Sequence, residues 1–201
     1  FFKQKTAYEI RPRDWSSDVC SSDLLSALTA GTWNVDASHS NIGFTVRHLM
    51  VAKVRGRFAE FAGSITVAAD PLQSKVEATV QAASIDTRDD GRDGHLRSGD
   101  FFDAEQHPTW TLVSTGLRAN GSNYVLDANL TIKGVTQPVS FDLEFDGVAT
   151  DPWGNVKAGF TAEAEISRKS FGLEWNAALE TGGVVVGDAV KITLEIEAVK
   201  A

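Results

Sequence analysis

Residues 36–58 read DASHSNIGFTVRHLMVAKVRGRF. Ile42, Phe44 and Val46 alternate with small or polar residues, which is the two-residue period of a β-strand with one apolar face. The same period directs His48 to the apolar side of the strand. The opposite side carries a basic row, which consists of Arg47, Lys53, Arg55 and Arg57. The stretch therefore predicts a half-buried strand with one polar group facing inward and several cations facing outward.

The same alternation recurs in five later segments: VEATVQA (76–82), YVLDANLTIKG (124–134), VSFDLEF (139–145), FTAEAEI (160–166) and VKITLEIEA (190–198). Turn residues such as Asn120-Gly121 and Lys133-Gly134 separate these segments. Strands with one apolar and one polar face are typical of antiparallel sheets. The apolar parity flips near Ala59–Glu60, which predicts a β-bulge within one long bent strand.

An all-β chain with little helix folds as a barrel or as a sandwich. Small residues share the apolar faces with Phe, Leu and Ile, whereas a close-packed sandwich core needs bulk on both sheets. A closed barrel can use the spare room for a ligand. We therefore predict a barrel with an internal channel, and the alternative is a barrel filled by an aromatic side chain or by residues 88–103. The small inward residues are Ala78, Ala82, Ala128, Ala158, Ala162 and Ala164.

Length and composition limit the classes of function. The 201 residues suit one domain of ordinary size. The formal net charge of −8 repels phosphate backbones, which argues against a nucleic-acid partner. No apolar run reaches the length of a transmembrane helix. The single cysteine, Cys20, excludes an internal disulfide framework and a multi-cysteine metal site.

The first 24 residues, FFKQKTAYEIRPRDWSSDVCSSDL, differ from the rest because they show neither helical nor strand periodicity. They resemble a translated sequencing-adapter read, and a naturally disordered tail is the alternative. We expect residues 1–24 to be a non-native or disordered leader and residues 25–201 to form the domain. A cytoplasmic location is favoured, and a periplasmic or secreted location is the alternative if a signal peptide preceded the domain.

One segment, RDDGRDGHLRSGDFFD (88–103), departs from the strand pattern. It predicts a short helix that Asp89 or Asp90 caps and that Gly99 ends. Its dense opposite charges are typical of caps and salt bridges that hold a loop in shape. The rival interpretation is a hydrolytic or metal-assisted enzyme that uses His95, Asp86 and Asp100.

The four histidines are His39, His48, His95 and His107, and no two have the spacing of a helical zinc site. The sequence therefore predicts no metal site, no cofactor and no catalytic residue. We expect His39 to bond to backbone at the start of a strand and His48 to be a core histidine or a polar contact for a ligand head group. The basic row is typical of a solvated face, and near an open barrel end it could meet an anionic head group or a lipid surface.

Five motifs, in chain order, resemble the YceI-like family: residues 36–58, SIDTRDDGRDGHLRSGDFFD (84–103), LTIKGVTQPV (130–139), RKSFGLEWN (168–176) and GDAVKITLEIEA (187–198). The resemblance spans about residues 32–199. It implies an extended eight-stranded antiparallel β-barrel, lipocalin-like in shape, with one short helical loop over one end. It also implies an internal channel that binds polyisoprenoids, such as quinone-type or prenyl-phosphate lipids.

We therefore predict a non-enzymatic protein that binds, transports or sequesters a polyisoprenoid lipid. A dozen buried methylenes at ~0.8 kcal/mol each would match the roughly 8 kcal/mol of micromolar binding. The alternatives are a protein that binds fatty acids or fatty amides, and a purely structural barrel; a homodimer is left open. The residues predicted to contact the ligand are Phe44, Val46, His48, Phe58, Leu130, Phe141, Phe160, Phe101, Trp110 and Trp175.

Overall fold

The computed structural model of the protein describes residues 25, 27–178 and 184–201. These residues form eleven β-strands, one α-helix and three 3-10 turns. The strands are β1 (Gly31–Val35), β2 (Asn41–His48), β3 (Ala52–Phe58), β4 (Phe61–Val67), β5 (Lys75–Gln81), β6 (Ile85–Asp86), β7 (Thr109–Asn120), β8 (Asn123–Ile132), β9 (Val135–Thr150), β10 (Val156–Ser167) and β11 (Val186–Lys200). The helix is α1 (Asp90–Arg97), and the 3-10 turns are Pro71–Gln73, Ala82–Ser84 and Arg168–Phe171.

The sheet closes into a barrel of eight antiparallel strands, which confirms the predicted fold class. The ring runs β1-β4-β5-β7-β8-β9-β10-β11, and β11 closes it by pairing with β1. The strands β1 and β2 pair with successive parts of β11 and together act as one long strand. The residue of β11 opposite the end of β1 is Ala198, and the residue opposite the start of β2 is Glu195. In the same way β3 continues into β4, and β6 follows β5.

Two of these long strands are interrupted. The break between β3 and β4 falls at Ala59–Glu60, where the change of apolar parity predicted a bulge. The break between β1 and β2 is residues 36–40, which no pattern predicted. These five residues lie opposite only two residues of β11, Ile196 and Glu197, so the surplus residues form a bulge that points outward.

The helix α1 begins as predicted and ends one residue earlier than predicted. The Asp89 carboxylate accepts a hydrogen bond from the Arg92 backbone N–H at 2.9 Å, which makes Asp89 the N-cap. At the other end Ser98, rather than Gly99, is the C-cap, because its backbone N–H donates to the His95 carbonyl. The Arg97 guanidinium donates to the carbonyls of Ala83 and Ile85, and these bonds fix the helix to the barrel.

The core follows the long axis of the barrel from one end to the other. We call the end that carries α1 and the β2–β3 and β8–β9 turns the helix end, and the opposite end the far end. A cluster around Phe58, Trp110 and Phe171 lies at the helix end, and a cluster around Trp33 and Tyr124 lies at the far end. The predicted leader, residues 1–24, lies outside the described residues. No helix among the described residues has both the length and the apolar character needed to cross a membrane.

Candidate functional site

An apolar channel with a volume of about 240 Å³ runs through the barrel. Its lining begins at Leu25 and Leu28 of the far end and continues to Leu96 and Leu173 of the helix end. On β11 the lining extends from Val186 to Ile196, which corresponds to roughly 25 Å along the axis of a barrel with tilted strands. A cavity of this shape suits one long, narrow, apolar molecule.

Strand periodicity places the apolar side chains in this wall. On β2, Phe44 and Val46 border the channel, and the outward-facing Arg47 between Val46 and His48 is exposed. On β11, Ile192 and Leu194 border it in the same way. All four side chains are only half-buried because they face an open channel rather than packed atoms. The continuous lining therefore arises from the same alternation that predicted the strands.

An aromatic cluster borders the channel at the helix end. The Trp110 ring packs edge-on against Phe58 and Phe102, with ring centroids 4.9 Å and 4.6 Å apart. Such contacts favour a defined ring orientation. Among the described residues, the indole Nε1–H of Trp110 is the one buried side-chain polar atom without a hydrogen-bond partner. An unpaired buried donor is unfavourable, and the residue that carries it borders the channel.

The structure brings eight of the ten predicted contact residues to the channel. His48 and Trp175 do not border it. These eight are spread over β2, β3, β7, β8, β9, β10 and the segment after α1, so they surround the channel rather than form one patch. Whether they contact a ligand stays a prediction. The eight are Phe44, Val46, Phe58, Phe101, Trp110, Leu130, Phe141 and Phe160.

His48 does not border the channel, and its contact with a ligand head group stays a prediction. His48 is the last residue of β2 and pairs with Ala52 and Val186. The chain then turns at Leu49 and Met50, both of which have positive φ. Val46, one inward position earlier, is the last residue of β2 to border the channel. Strand parity gives the side toward which a residue points, and it does not give the point at which a cavity ends.

Trp175 lies in the connection between β10 and β11, where no periodicity guides an interpretation. Its ring packs against His95 at 4.7 Å and against Phe101 at 5.2 Å between centroids. Phe101 borders the channel, whereas Trp175 does not. Trp175 is therefore placed to support the wall through Phe101.

Sequence reasoning missed Arg168, a buried arginine at the helix end that borders the channel. Its guanidinium donates to the backbone carbonyls of Gly187, at 2.9 Å, and of Leu173. Burial lowers the pKa of Arg168, and the negative charge of Asp188 opposes that shift. The position inside the motif RKSFGLEWN was the available signal. Because carbonyls already accept these bonds, the arginine fixes the β10–β11 connection to the start of β11.

The predicted small residues divide into two groups. Ala78 and Ala162 border the channel, so their small side chains contribute directly to its width. Ala82, Ala128, Ala158 and Ala164 are buried and do not border it. The argument from alanines was therefore right about the presence of a cavity and overstated how many alanines form it.

The residues of the rival enzyme hypothesis form a structural network. His95 Nε2 lies 2.9 Å from the Asp100 carboxylate. The Asp86 carboxylate instead accepts hydrogen bonds from Arg57, at 3.1 Å, and from the Arg88 backbone N–H. The backbone N–H of Arg88 is the largest cause that lowers the pKa of Asp86. No hydrogen bond among the described residues joins Asp86 to His95 or Asp100, and these contacts are those of a loop held by its own charges.

A second group of polar residues lies on the outside of the barrel at residues 36–40. His39 Nδ1 contacts the Asp36 carboxylate at 2.9 Å and lies 3.5 Å from that of Glu197, so its side chain bonds to carboxylate rather than to backbone as expected. These three residues offer ligand atoms within 4.8 Å of one another. The Lys157 ammonium already lies at 2.5 Å from Glu197 and 3.3 Å from Asp36. We call Asp36, His39, Lys157 and Glu197 the closed cluster, because its two carboxylates share a cation from within the fold.

Comparison with known proteins gives a consistent result. The family model described as the YceI-like domain matches residues 33–198. A UPF0312 protein of Staphylococcus epidermidis is 40% identical over 167 residues, which cover 82% of this chain and 95% of that protein. A UPF0312 protein of Staphylococcus aureus is 37% identical over 164 residues, which cover 81% of this chain and 94% of that protein.

Solved structures share the barrel. The chain is similar to BcnA of Burkholderia cenocepacia with a TM-score of 0.69 and 25% identity, covering 81% of this chain and 98% of BcnA. A YCEI protein of Campylobacter jejuni matches with a TM-score of 0.67 and 26% identity, covering 77% and 90% of the two chains. A polyisoprenoid binding domain from Saccharophagus degradans matches with a TM-score of 0.63 at 17% identity, covering 84% and 98%. At that identity the last likeness shows the fold alone.

Proposed function

The chain belongs to the YceI-like domain family, and from this membership and the apolar channel we propose that it binds the tail of a polyisoprenoid lipid and carries or sequesters it. The domain from Saccharophagus degradans, which shares the barrel, is described as polyisoprenoid-binding. The protein acts as a binder rather than a catalyst in this proposal. The contacts of His95, Asp86 and Asp100 support that view because they hold a loop. A cytoplasmic location stays a prediction.

The observation that carries the proposal is the unbroken apolar lining from one end of the barrel to the other. Each methylene that leaves water for such a wall contributes ~0.8 kcal/mol. About a dozen methylenes match the free energy of micromolar binding before the costs of association, and the further methylenes of a longer tail would offset those costs. Globular or strongly polar ligands do not fit a lining of this kind. We propose that the eight residues bordering the channel contact the tail.

Two polar features of the lining point to a neutral head group. Trp110 offers an N–H donor without an acceptor, which suits a quinone or amide carbonyl oxygen. Arg168, the one cation of the described lining, already donates to backbone carbonyls. A quinone-type lipid is therefore our first candidate for the ligand, and a fatty amide is the second. A buried phosphate or carboxylate would lack a free cation here.

The first experiment is mass spectrometry of an organic-solvent extract from the purified protein. A stoichiometric isoprenoid lipid would support the proposal and identify the head group. Ala162→Phe should abolish this uptake because its ring enters the channel, whereas Glu165→Phe puts the same ring on the exposed face of β10 and serves as the control. Circular dichroism would check that both variants fold. Unchanged uptake by a folded Ala162→Phe variant would overturn the channel as the binding site.

The head-group proposal has its own test, in which Trp110→Phe keeps an aromatic ring and removes the N–H. The probes are geranylgeranylacetone, an isoprenoid ketone, and the hydrocarbon in which CH₂ replaces its carbonyl. We expect the variant to lose about three- to tenfold affinity for the ketone relative to the hydrocarbon, because one hydrogen bond is lost. An equal loss for both probes would show that Trp110 contributes only packing.

A further inference from the structure

The hairpin formed by β2 and β3 extends beyond the barrel wall as a two-stranded ribbon. We call residues 47–56 the ribbon. Strand β3 pairs with β2 from Ala52 to Phe58, but it pairs with β6 only at Arg57 and Phe58. Residues 52–56 therefore have one free edge in the described part of the chain. The ribbon lies at the helix end, where Val46 and Val186 border the channel.

The tip of the ribbon is apolar and exposed. Leu49, Met50 and Val51 are 38%, 60% and 82% exposed. Leu49 and Met50 occupy left-handed backbone, with φ of 50° and 60°, which is unfavourable for bulky residues. Hairpin turns of this kind usually carry Asn-Gly. Neither folding nor solubility explains two large apolar residues at this turn, and such an outlier points to a role outside the fold.

The sides of the ribbon carry cations that have no ion-pair partner among the described residues. Arg47 stands directly opposite Lys53, and Arg55 stands opposite Thr45. Like charges placed directly opposite each other destabilise a strand pair. All three cations are exposed, and none forms an ion pair with another described residue. Residues 47–57 contain four cations and no acidic residue, in a chain with a net charge of −8.

We propose that the ribbon docks on an anionic lipid bilayer, with Leu49, Met50 and Val51 among the acyl chains and Arg47, Lys53 and Arg55 on the lipid phosphates. Exposed apolar side chains flanked by Lys and Arg are the pattern of interfacial membrane binding. Anionic lipid relieves the repulsion between Arg47 and Lys53, and the bilayer buries the exposed tip. Docking there brings the helix end of the channel to the membrane. The docking proposal stands without the identity of the ligand in the channel.

Co-sedimentation of the full chain with vesicles tests the proposal. The vesicles are phosphatidylcholine alone and phosphatidylcholine mixed with phosphatidylglycerol. We expect the protein to sediment with the anionic vesicles and to be released by salt, because the attraction is partly electrostatic. No sedimentation at low salt would overturn docking. Binding of the ribbon to an acidic protein without binding to vesicles would also overturn it.

Two variants separate charge from apolar contact. Arg47→Ser/Lys53→Ser should weaken binding to the anionic vesicles about 25-fold, at about fivefold for each cation lost. Lys75→Ser/Arg118→Ser removes the same charge at the far end and should change binding little; an equal loss would mean that overall charge, and not the ribbon, drives binding. Leu49→Asn/Met50→Gly keeps the cations and suits the turn, and it too should lose binding. If vesicle binding is present but solvent extracts contain no lipid, docking stands and the lipid-carrier proposal falls.

Discussion

The closed cluster and the ribbon lie at opposite ends of β2, and their charged side chains differ in whether they have partners within the fold. In the closed cluster, the Lys157 ammonium contacts the carboxylates of Asp36 and Glu197. In the ribbon, Arg47 faces Lys53 across the strand pair and neither forms an ion pair with a described residue. The carboxylates of the closed cluster share a cation within the fold, whereas the cations of the ribbon have no carboxylate partner among the described residues.

The difference helps to separate structural charges from functional ones. A group of ionisable residues attracts attention as a candidate site, yet the closed cluster satisfies itself and joins β1–β2, β10 and β11. Its carboxylates stabilise the barrel because a cation is held between them. The ribbon looks unremarkable in sequence, as a solvated basic row. Its cations have no ion-pair partner in the part of the chain that the structure describes, and its turn is strained. These unfavourable features make the ribbon the better candidate for an interaction surface.

The largest effect on stability is expected when Lys157 is replaced. Lys157→Met leaves Asp36 and Glu197 close together and without a cation, and all three side chains are less than one-third exposed. We expect the free energy of unfolding to fall by about 2 kcal/mol, between the values for exposed and for buried pairs. Urea unfolding of wild type and variant measures this change in the free energy of unfolding. Lys191→Met breaks a half-exposed pair with Glu163 and should cost less than about 1 kcal/mol; equal losses would contradict the comparison.

A smaller effect is expected from acid. Hydrogen bonds from the side chains of Ser38 and His39 hold the pKa of Asp36 well below its usual 3.8. Since the folded state has the lower pKa, this contribution to stability is complete above 3.8 and is lost as the pH falls below that value. When the pH is lowered from about 5 to about 3, the free energy of unfolding should therefore fall more for wild type than for Asp36→Asn. Asp142→Asn, at an exposed carboxylate of β9, is the control, and parallel curves for wild type and Asp36→Asn would refute the prediction.

The smallest effect has the opposite sign. Leu49→Asn/Met50→Gly should raise the free energy of unfolding by about 1 kcal/mol, because left-handed strain is removed and part of that gain is offset by the flexible glycine in the unfolded chain. Thermal unfolding measures the change. Val51→Asn, at an exposed position without positive φ, should be nearly neutral. A destabilised double variant would mean that the tip packs within the fold.

Strand periodicity predicted the barrel because it is a local property of the sequence. The segment VSFDLEF shows this, since its alternation of buried and exposed residues is seen in β9. The strand β1, GTWNV, was not predicted, because five residues with one buried side chain, Trp33, carry too little pattern. Its place follows from pairing with β4 and β11, which no local pattern reveals.

The candidate site was predictable in kind and less so in detail. Alternation identified which residues face inward, but it could not show that the channel passes Ala162 and misses Ala128. That difference depends on neighbouring side chains from other strands. The closed cluster was missed for a related reason, since Lys157 and Asp36 are 121 residues apart in the chain. Arg168 was missed because its partners are backbone carbonyls, which leave no trace in residue identity.

The closure of the barrel by β11 has a consequence for synthesis of the protein. Ser40, at the start of β2, and Glu197 of β11 exchange hydrogen bonds across 157 residues of sequence, so the seam forms only after every other strand has been translated. Contacts between such distant segments form slowly because a long loop must close first. Until then the nascent chain exposes the apolar side chains of the future channel wall, and exposed surface of this kind is prone to aggregation. During the same delay an apolar ligand can enter the future channel, because β11 has not yet closed the barrel.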